Sequence, residues 1–261
     1  TVVLLGVTLV VGTGRGTAQG VRSWIEIGGF SFQPAELAKL ATILALARLL
    51  SSWESSPTNL KDLIAPSALV AVPLGLVVLQ PDLGTALAFV GILFGVLYWA
   101  GTPLAFLVLL ASPGLGLVLS FDTMFWSIYI VLLGLFLYLY RYRLFLVESV
   151  TVILANVAAG TIARPLWMSL AEYQRNRLLV FLDPSVDPRG AGWHLIQSKV
   201  AIGSGALTGK GFTQGTQKRL DFLPEQHTDF VFSVVGEELG FVGTSLALLA
   251  FAYVLYRLVK M

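Results

Sequence analysis

The chain has 261 residues, of which 56% are hydrophobic and only 12% charged, and its formal net charge is +2. Soluble domains carry about a quarter charged residues, so this composition excludes an ordinary soluble domain, and so small a net charge makes no case for nucleic acid. The absence of cysteine excludes a disulfide framework, a thiolate nucleophile and a zinc–thiolate site.

Apolar runs separated by Pro, Gly and charged breakers predict an all-α, polytopic membrane bundle of about eight spans. In chain order these are Thr1–Val11, Pro34–Leu50, Leu63–Leu79, Leu83–Trp99, Pro103–Ser120, Phe125–Tyr140, Leu144–Ile162 and Phe230–Tyr256. A transmembrane barrel needs alternating strands, and Leu63–Leu79 and Ile128–Tyr140 do not alternate. Thr1 lies inside an apolar run and Met261 closes a helix, so the chain reads as trimmed at both ends. The whole of 1–261 reads as one transmembrane domain with two long connections, Gly12–Gln33 and Ala163–Asp229.

Parity places both long connections on one side of the membrane. Arg48, Lys61, Arg141, Arg143, Arg257 and Lys260 fall on the other side, and basic residues in short loops face the cytoplasm. The long loops are therefore expected to be extracytoplasmic. Within the second, Trp193–Ile202 predicts an amphipathic helix lying on the membrane surface, with Trp193, Leu195, Ile196, Val200 and Ile202 on its apolar side.

Candidate chemistry gathers on the loop side. Arg22 and Trp24 precede the second span, where Trp24 reads as an interfacial anchor. Gln33 and Pro34 open that span, and Glu36 and Lys39 follow at i,i+3 on one face. The pair reads either as a structural ion pair or as an anion-binding lysine oriented by its glutamate. Gln80-Pro81-Asp82-Leu83-Gly84-Thr85 breaks two spans, and alone it is a turn with Asp82 as a helix cap. In the long loop Arg175, Arg177, Lys199, Lys210, Lys218 and Arg219 suit either phosphate contacts or simple solvation.

Gly203-Ser204-Gly205-Ala206-Leu207-Thr208-Gly209-Lys210-Gly211 looks like a phosphate loop but is not one. Ser204 stands where the first glycine is required, and Gly211 where Ser or Thr must hold magnesium. His194 and His227 form no zinc pattern.

The densest cluster is Leu220–Phe230, which sets Asp221, Glu225, His227 and Asp229 at the mouth of the last span. A carboxylate at a helix start is favoured by the dipole, with Thr228 able to cap the same turn. The same dipole keeps Asp229 ionised, as a general base must be. Further along, Glu237 and Glu238 read either as partners of a basic residue or as functional intramembrane acids, and Gly240 and Gly243 hint at close helix packing.

Taken together, these runs closely resemble the SEDS (RodA/FtsW/SpoVE) family, its RodA branch more than its FtsW branch. The matching text runs from Trp24-Ile25-Glu26-Ile27-Gly28 through Gln33–Leu40, Gln80–Thr85, Tyr173–Arg177, Phe181–Pro184 and Gly190–Gly211 to Leu220–Gly243. The resemblance implies a multi-pass protein of the bacterial cytoplasmic membrane with about ten spans. It implies a peptidoglycan glycosyltransferase that polymerises lipid II at the outer face, for elongation and rod shape. It further implies a class B penicillin-binding protein and other elongation proteins as partners, and a divalent cation, Mg2+ or Mn2+. By motif the essential acid is Asp229, Trp24 and Lys39 match positions tied to activity, and Glu36 is the ion-pair partner of Lys39. Two departures stand out. The first two spans and those after Tyr256 are missing, and three spans lie between Pro103 and Ile162 where rod-type relatives show one.

From this reading Asp229 is the expected base. Arg22, Trp24, Gln33, Glu36, Lys39, Gln80, Asp82, Arg177, Lys210, Lys218, Glu225 and His227 are expected around the substrate. Asp229, Asp82 and Glu225 are candidates for the metal. The competing readings are a flippase for the same lipid, or a non-catalytic scaffold for a cell-wall synthase.

Overall fold

A computed structural model describes residues 1–14, 23–27, 30–53, 56–57, 59–139, 146–170, 172–188, 191–214 and 230–260. Its element order is α1 (Val2–Val11), β1 (Ile25–Ile27), β2 (Phe30–Phe32), α2 (Pro34–Ser51), a 3-10 turn (Leu60–Leu63), α3 (Ile64–Leu79), α4 (Leu83–Trp99), α5 (Leu104–Leu119), α6 (Thr123–Leu139) and α7 (Leu146–Ser169). There follow α8 (Glu172–Leu182), a 3-10 turn (Pro184–Val186), α9 (Ala191–Ser204) and α10 (Val231–Lys260). Each predicted span has its helix within a few residues, because apolar run length and Pro/Gly breakers govern where a helix can cross lipid. The protein is a polytopic helical membrane protein.

Among the described residues three helical stretches are long and apolar enough to cross a membrane, Leu60–Leu79, Leu146–Ser169 and Val231–Lys260, and α1, α4, α5 and α6 are shorter apolar helices. Three elements depart from expectation, one of them α8, a helix within the segment read as a long loop. The Gly12–Gln33 segment, read as a loop, contains the antiparallel β1–β2 hairpin with Ile25 opposite Phe32 and Ile27 opposite Phe30. Three-residue strands are too short for their alternation to stand out from a glycine-rich segment. Ala163–Ser169, assigned to the loop, instead extends α7, since the proline inside it, Pro165, does not end the helix.

The chain divides into two compact units, Thr1–Pro165 and Leu166–Met261. In the first, α2, α3 and α4 pack on one another and α1 lies against α2 and α3. The shared core includes Leu5, Ala38, Leu46, Val70, Val77, Phe89, Leu93 and Leu97. Large apolar side chains cover the outer faces, among them Leu44, Leu87, Leu115, Leu132 and Leu154, as lipid requires.

Several polar groups inside this unit are tied together. The fully buried Gln80 donates through Nε2 to the Leu5 carbonyl at 2.9 Å and to Thr8 Oγ1 at 3.1 Å, joining the end of α3 to α1. Between α5, α6 and α7, Asn156 Nδ2 donates to Ser112 Oγ at 2.8 Å and to the Val152 carbonyl at 2.9 Å. The Tyr129 hydroxyl lies 2.8 Å from both Asn156 Oδ1 and the Ser112 carbonyl. The helices α5, α6 and α7 are therefore a bonded three-helix group. Asn156→Ala removes its bonds to Ser112 Oγ and the Tyr129 hydroxyl, which keep only their carbonyl partners on Leu109 and Ser112, and with two hydrogen bonds lost we expect it to lower stability by roughly 1–3 kcal/mol. Thermal unfolding in detergent, followed by tryptophan fluorescence, is the measurement.

Candidate functional site

The first cluster of site residues sits where α2 and α4 begin. Pro34 occupies the first turn of α2, where its missing N–H goes unneeded, and Gln33 is the N-cap residue. Asp82 is the N-cap of α4 and accepts from Thr85 N at 3.1 Å through Oδ1. Its second oxygen, Oδ2, accepts from Thr85 Oγ1 at 2.8 Å and from Gln33 Nε2 at 3.2 Å. The cap role expected of Asp82 is thus observed, and the same carboxylate bridges two helix starts.

One turn into α2, Lys39 Nζ pairs with Glu36 Oε1 at 2.8 Å, with the glutamate 58% and the lysine 25% exposed. The ion-pair geometry expected of these neighbours is present. Trp24 is fixed by its backbone, its N–H donating to the Thr13 carbonyl at 3.2 Å and its carbonyl accepting from Thr13 N at 2.8 Å. The β1–β2 hairpin then leads directly from Trp24 to Gln33. The structure therefore gathers Gln33 with Asp82, and Glu36 with Lys39. Gln80 does not join them: it is turned inward to α1, a packing role.

The second cluster lies in the other unit, where α10 breaks. Gly240 has φ 64° and ψ −163°, a region that only glycine occupies at ease. Around this break the turn after α9 docks by four backbone hydrogen bonds. Lys210 N donates to the Glu237 carbonyl at 2.9 Å and Gly211 N to the Glu238 carbonyl at 3.0 Å; Phe241 N donates to the Ala206 carbonyl at 2.9 Å and Val242 N to the Leu207 carbonyl at 3.1 Å. The groups that the break removes from the helix ladder are in this way satisfied, as lipid demands. A Cβ at Gly205 would overlap the Gly236 carbonyl, and one at Gly209 the Glu238 carbonyl. Lys210 Nζ then reaches Glu237 Oε1 at 2.7 Å.

This interlock is what sequence reasoning missed, although a signal exists. Gly205-x-x-x-Gly209 faces Gly236-x-x-x-Gly240, and small residues at that spacing mark close approach in membranes. The segment first met as a false phosphate loop is half of it. It also revises the setting of α9, expected on the membrane surface. Ser198 Oγ and Ser233 Oγ are 2.6 Å apart, and Ile202 lies against Gly236, so α9 runs beside α10. Glycine contacts outweigh the apolar face that a surface helix would give to lipid.

Asp183, the cap of the Pro184–Val186 turn, accepts from the Ser185 hydroxyl and backbone N–H, which hold its carboxyl below the usual carboxylate range. Arg22, Lys218, Glu225, His227 and Asp229 lie outside the described residues. Arg177 falls on α8, with its side chain outside the description. Among the described residues no three His, Asp or Glu side chains gather to hold a metal. Asp82 already accepts three hydrogen bonds, one on Oδ1 and two on Oδ2, from Thr85 and Gln33.

Loss of the Asp82 carboxylate removes a cap and an interhelical tie together. We expect Asp82→Ala to cost roughly 1–2 kcal/mol of stability, with Asp82→Asn milder. Thermal melts of the two variants, side by side, check this.

Comparison with known proteins places these motifs. The FtsW/RodA/SpoVE family model, described as "Cell cycle protein", matches residues 1–147 and 124–261. The chain is 36% identical over 241 residues to the peptidoglycan glycosyltransferase MrdB of Escherichia coli K12, covering 92% of this chain and 53% of that protein. It is 35% identical over 251 residues to the peptidoglycan glycosyltransferase RodA of Treponema pallidum, covering 86% and 58%. Against the stage V sporulation protein E of Bacillus subtilis it is 34% identical over 259 residues, covering 97% and 57%. A chain from a solved peptidoglycan synthase complex, studied for the structural coordination of polymerization and crosslinking, superposes with TM-score 0.57 at 32% identity, over 98% of this chain and 57% of that one. The chain thus spans about half the length of the curated relatives it matches. On this evidence the chain belongs to the FtsW/RodA/SpoVE family, the SEDS family that its motifs resemble.

Proposed function

We propose that this chain carries the polar apparatus of a peptidoglycan glycosyltransferase, which joins lipid II units at the outer face of the bacterial cytoplasmic membrane. One observation supports this reading above others: Gln33, Glu36, Lys39 and Asp82 cluster at two adjacent helix starts in the same motifs that carry the family resemblance. A cation and oriented acceptors at a lipid boundary suit an amphiphile with a phosphate-bearing head.

In the proposed reaction Asp229 takes the proton of the 4-hydroxyl on the acceptor sugar. The freed oxygen attacks the anomeric carbon of a second lipid-linked sugar, and undecaprenyl pyrophosphate leaves. Negative charge grows on the pyrophosphate as that bond breaks, so cations held there stabilise the transition state. Lys39, Arg22, Arg177, Lys210 and Lys218 are the proposed contributors, with Trp24 and His227 beside the substrate. A divalent cation, Mg2+ or Mn2+, belongs to the reading through the family. Asp229, Asp82 and Glu225 are its proposed carboxylates. Bound there, it would supply further positive charge to the leaving group. A class B penicillin-binding protein and other elongation proteins are the proposed partners.

The flippase reading needs polar groups in mid-membrane that are available to a passing headgroup. Asn156 and Glu237, two of the three it relies on, are held in packing contacts with Ser112, Tyr129 and Lys210. The scaffold reading has no observation in its favour.

Purified full-length protein with its penicillin-binding partner and lipid II provides the test. Asp229→Ala is expected to lower glycan-ladder formation by roughly a hundredfold or more, the usual contribution of a general base. Polymer made at the wild-type rate by that variant, with folding intact, would remove Asp229 from the mechanism. Chelation of divalent cations is expected to stop polymer formation, and added Mg2+ or Mn2+ to restore it. Ladders unaffected by the chelator would strike the cation from the proposal.

A further inference from the structure

We propose that Glu237 is a positioning residue for a pyrophosphate-binding lysine, Lys210, on a turn that carries this cation to membrane depth. The proposal rests on the glycosyltransferase reading above. Glu237 lies six residues into α10, about 9 Å along the helix from Val231. The turn Ala206–Gly211 is docked at that level by its four backbone bonds to either side of the Gly240 break. Irregular backbone at membrane depth persists only when enclosed by protein or lining an aqueous cavity.

The two ends of this ion pair are unequal. Glu237 is 1% exposed and Lys210 30% exposed. In Glu36–Lys39 the order is reversed, with the acid the more exposed partner. A pair that served only to cancel charge could be replaced by two apolar residues with little loss. Here the carboxylate is sealed inside while its lysine reaches the surface, on a turn immobilised at the expense of a broken helix. Glu237 accepts from Nζ at 2.7 Å, which restricts a long, flexible side chain to one direction. On the same turn Leu207 is exposed, and Phe212 just beyond it is exposed as well. A fixed cation flanked by exposed apolar side chains matches a prenyl pyrophosphate, whose charged head and hydrocarbon tail require both.

Calorimetric titration of the full-length protein in detergent with geranylgeranyl pyrophosphate tests the assignment. Glu237→Leu, which removes this acceptor but keeps the lysine's charge, is expected to weaken binding about tenfold. Its effect on lipid II polymerisation should fall on KM rather than kcat. Glu237→Gln, which keeps an acceptor in place, is expected to stay within about twofold of wild type. Were Glu237 a counter-ion alone, removing its negative charge would leave anion binding unchanged or tighter, and that result for Glu237→Leu overturns the proposal. The double change Lys210→Met with Glu237→Leu gives an apolar pair expected to fold, and it should weaken binding further than Glu237→Leu alone. Wild-type affinity in that variant also overturns the proposal. A wild-type protein that binds no prenyl pyrophosphate defeats the glycosyltransferase reading itself, whereas binding insensitive to Glu237 defeats only its positioning role.

Discussion

Lipid offers no hydrogen bonds, so each polar group that this chain takes below the membrane surface has to find its partner within the protein. Most of the specific structure follows from that constraint. Gln80 reaches back to α1, Asn156 joins Ser112 and Tyr129, and Glu237 holds Lys210. Apolar contacts alone would leave these helices free to slide, since side chains pack against lipid tails almost as well as against one another. The bonded polar groups set their register.

The break at Gly240 shows the same constraint producing architecture rather than merely fixing it. A glycine at φ 64° interrupts the ladder of α10 and exposes backbone groups on both sides. The only way to keep such a break inside a membrane is to bring another strand of backbone to it. The turn after α9 does so, and glycines at 205 and 209 allow the two backbones to meet. An acid that would otherwise be costly at this depth acquires a lysine from the incoming turn. The helix break, the glycine spacing and the ion pair are thus three parts of one arrangement.

At the start of α2 and α4 the constraint is weaker, because water is close. There the carboxylate of Asp82 combines a local task, capping α4, with a distant one, holding Gln33. Glu36 orients Lys39 within a single turn of helix. These are inexpensive interactions at a boundary where charge is tolerated. The group α5 to α7 has its own buried network, so these helices are fixed to one another by polar bonds as well as by apolar packing.

What the sequence by itself determined was the position and apolar character of the spans, the cap at Asp82 and the Glu36–Lys39 pair. All of these depend on neighbours a few residues apart, through hydrophobic run length, helix spacing and turn chemistry. Tertiary structure alone decided that Gln33 meets Asp82 across 49 positions, that Gln80 turns away to α1, and that Glu237 pairs with Lys210. It also decided that α9 lies along α10 instead of on the membrane surface. Such pairings join segments far apart in the chain, and no local propensity distinguishes the chosen partner from others of the same chemistry. The spacing of two glycine pairs was written in the chain, but which backbone each would admit depended on where the helices came to lie.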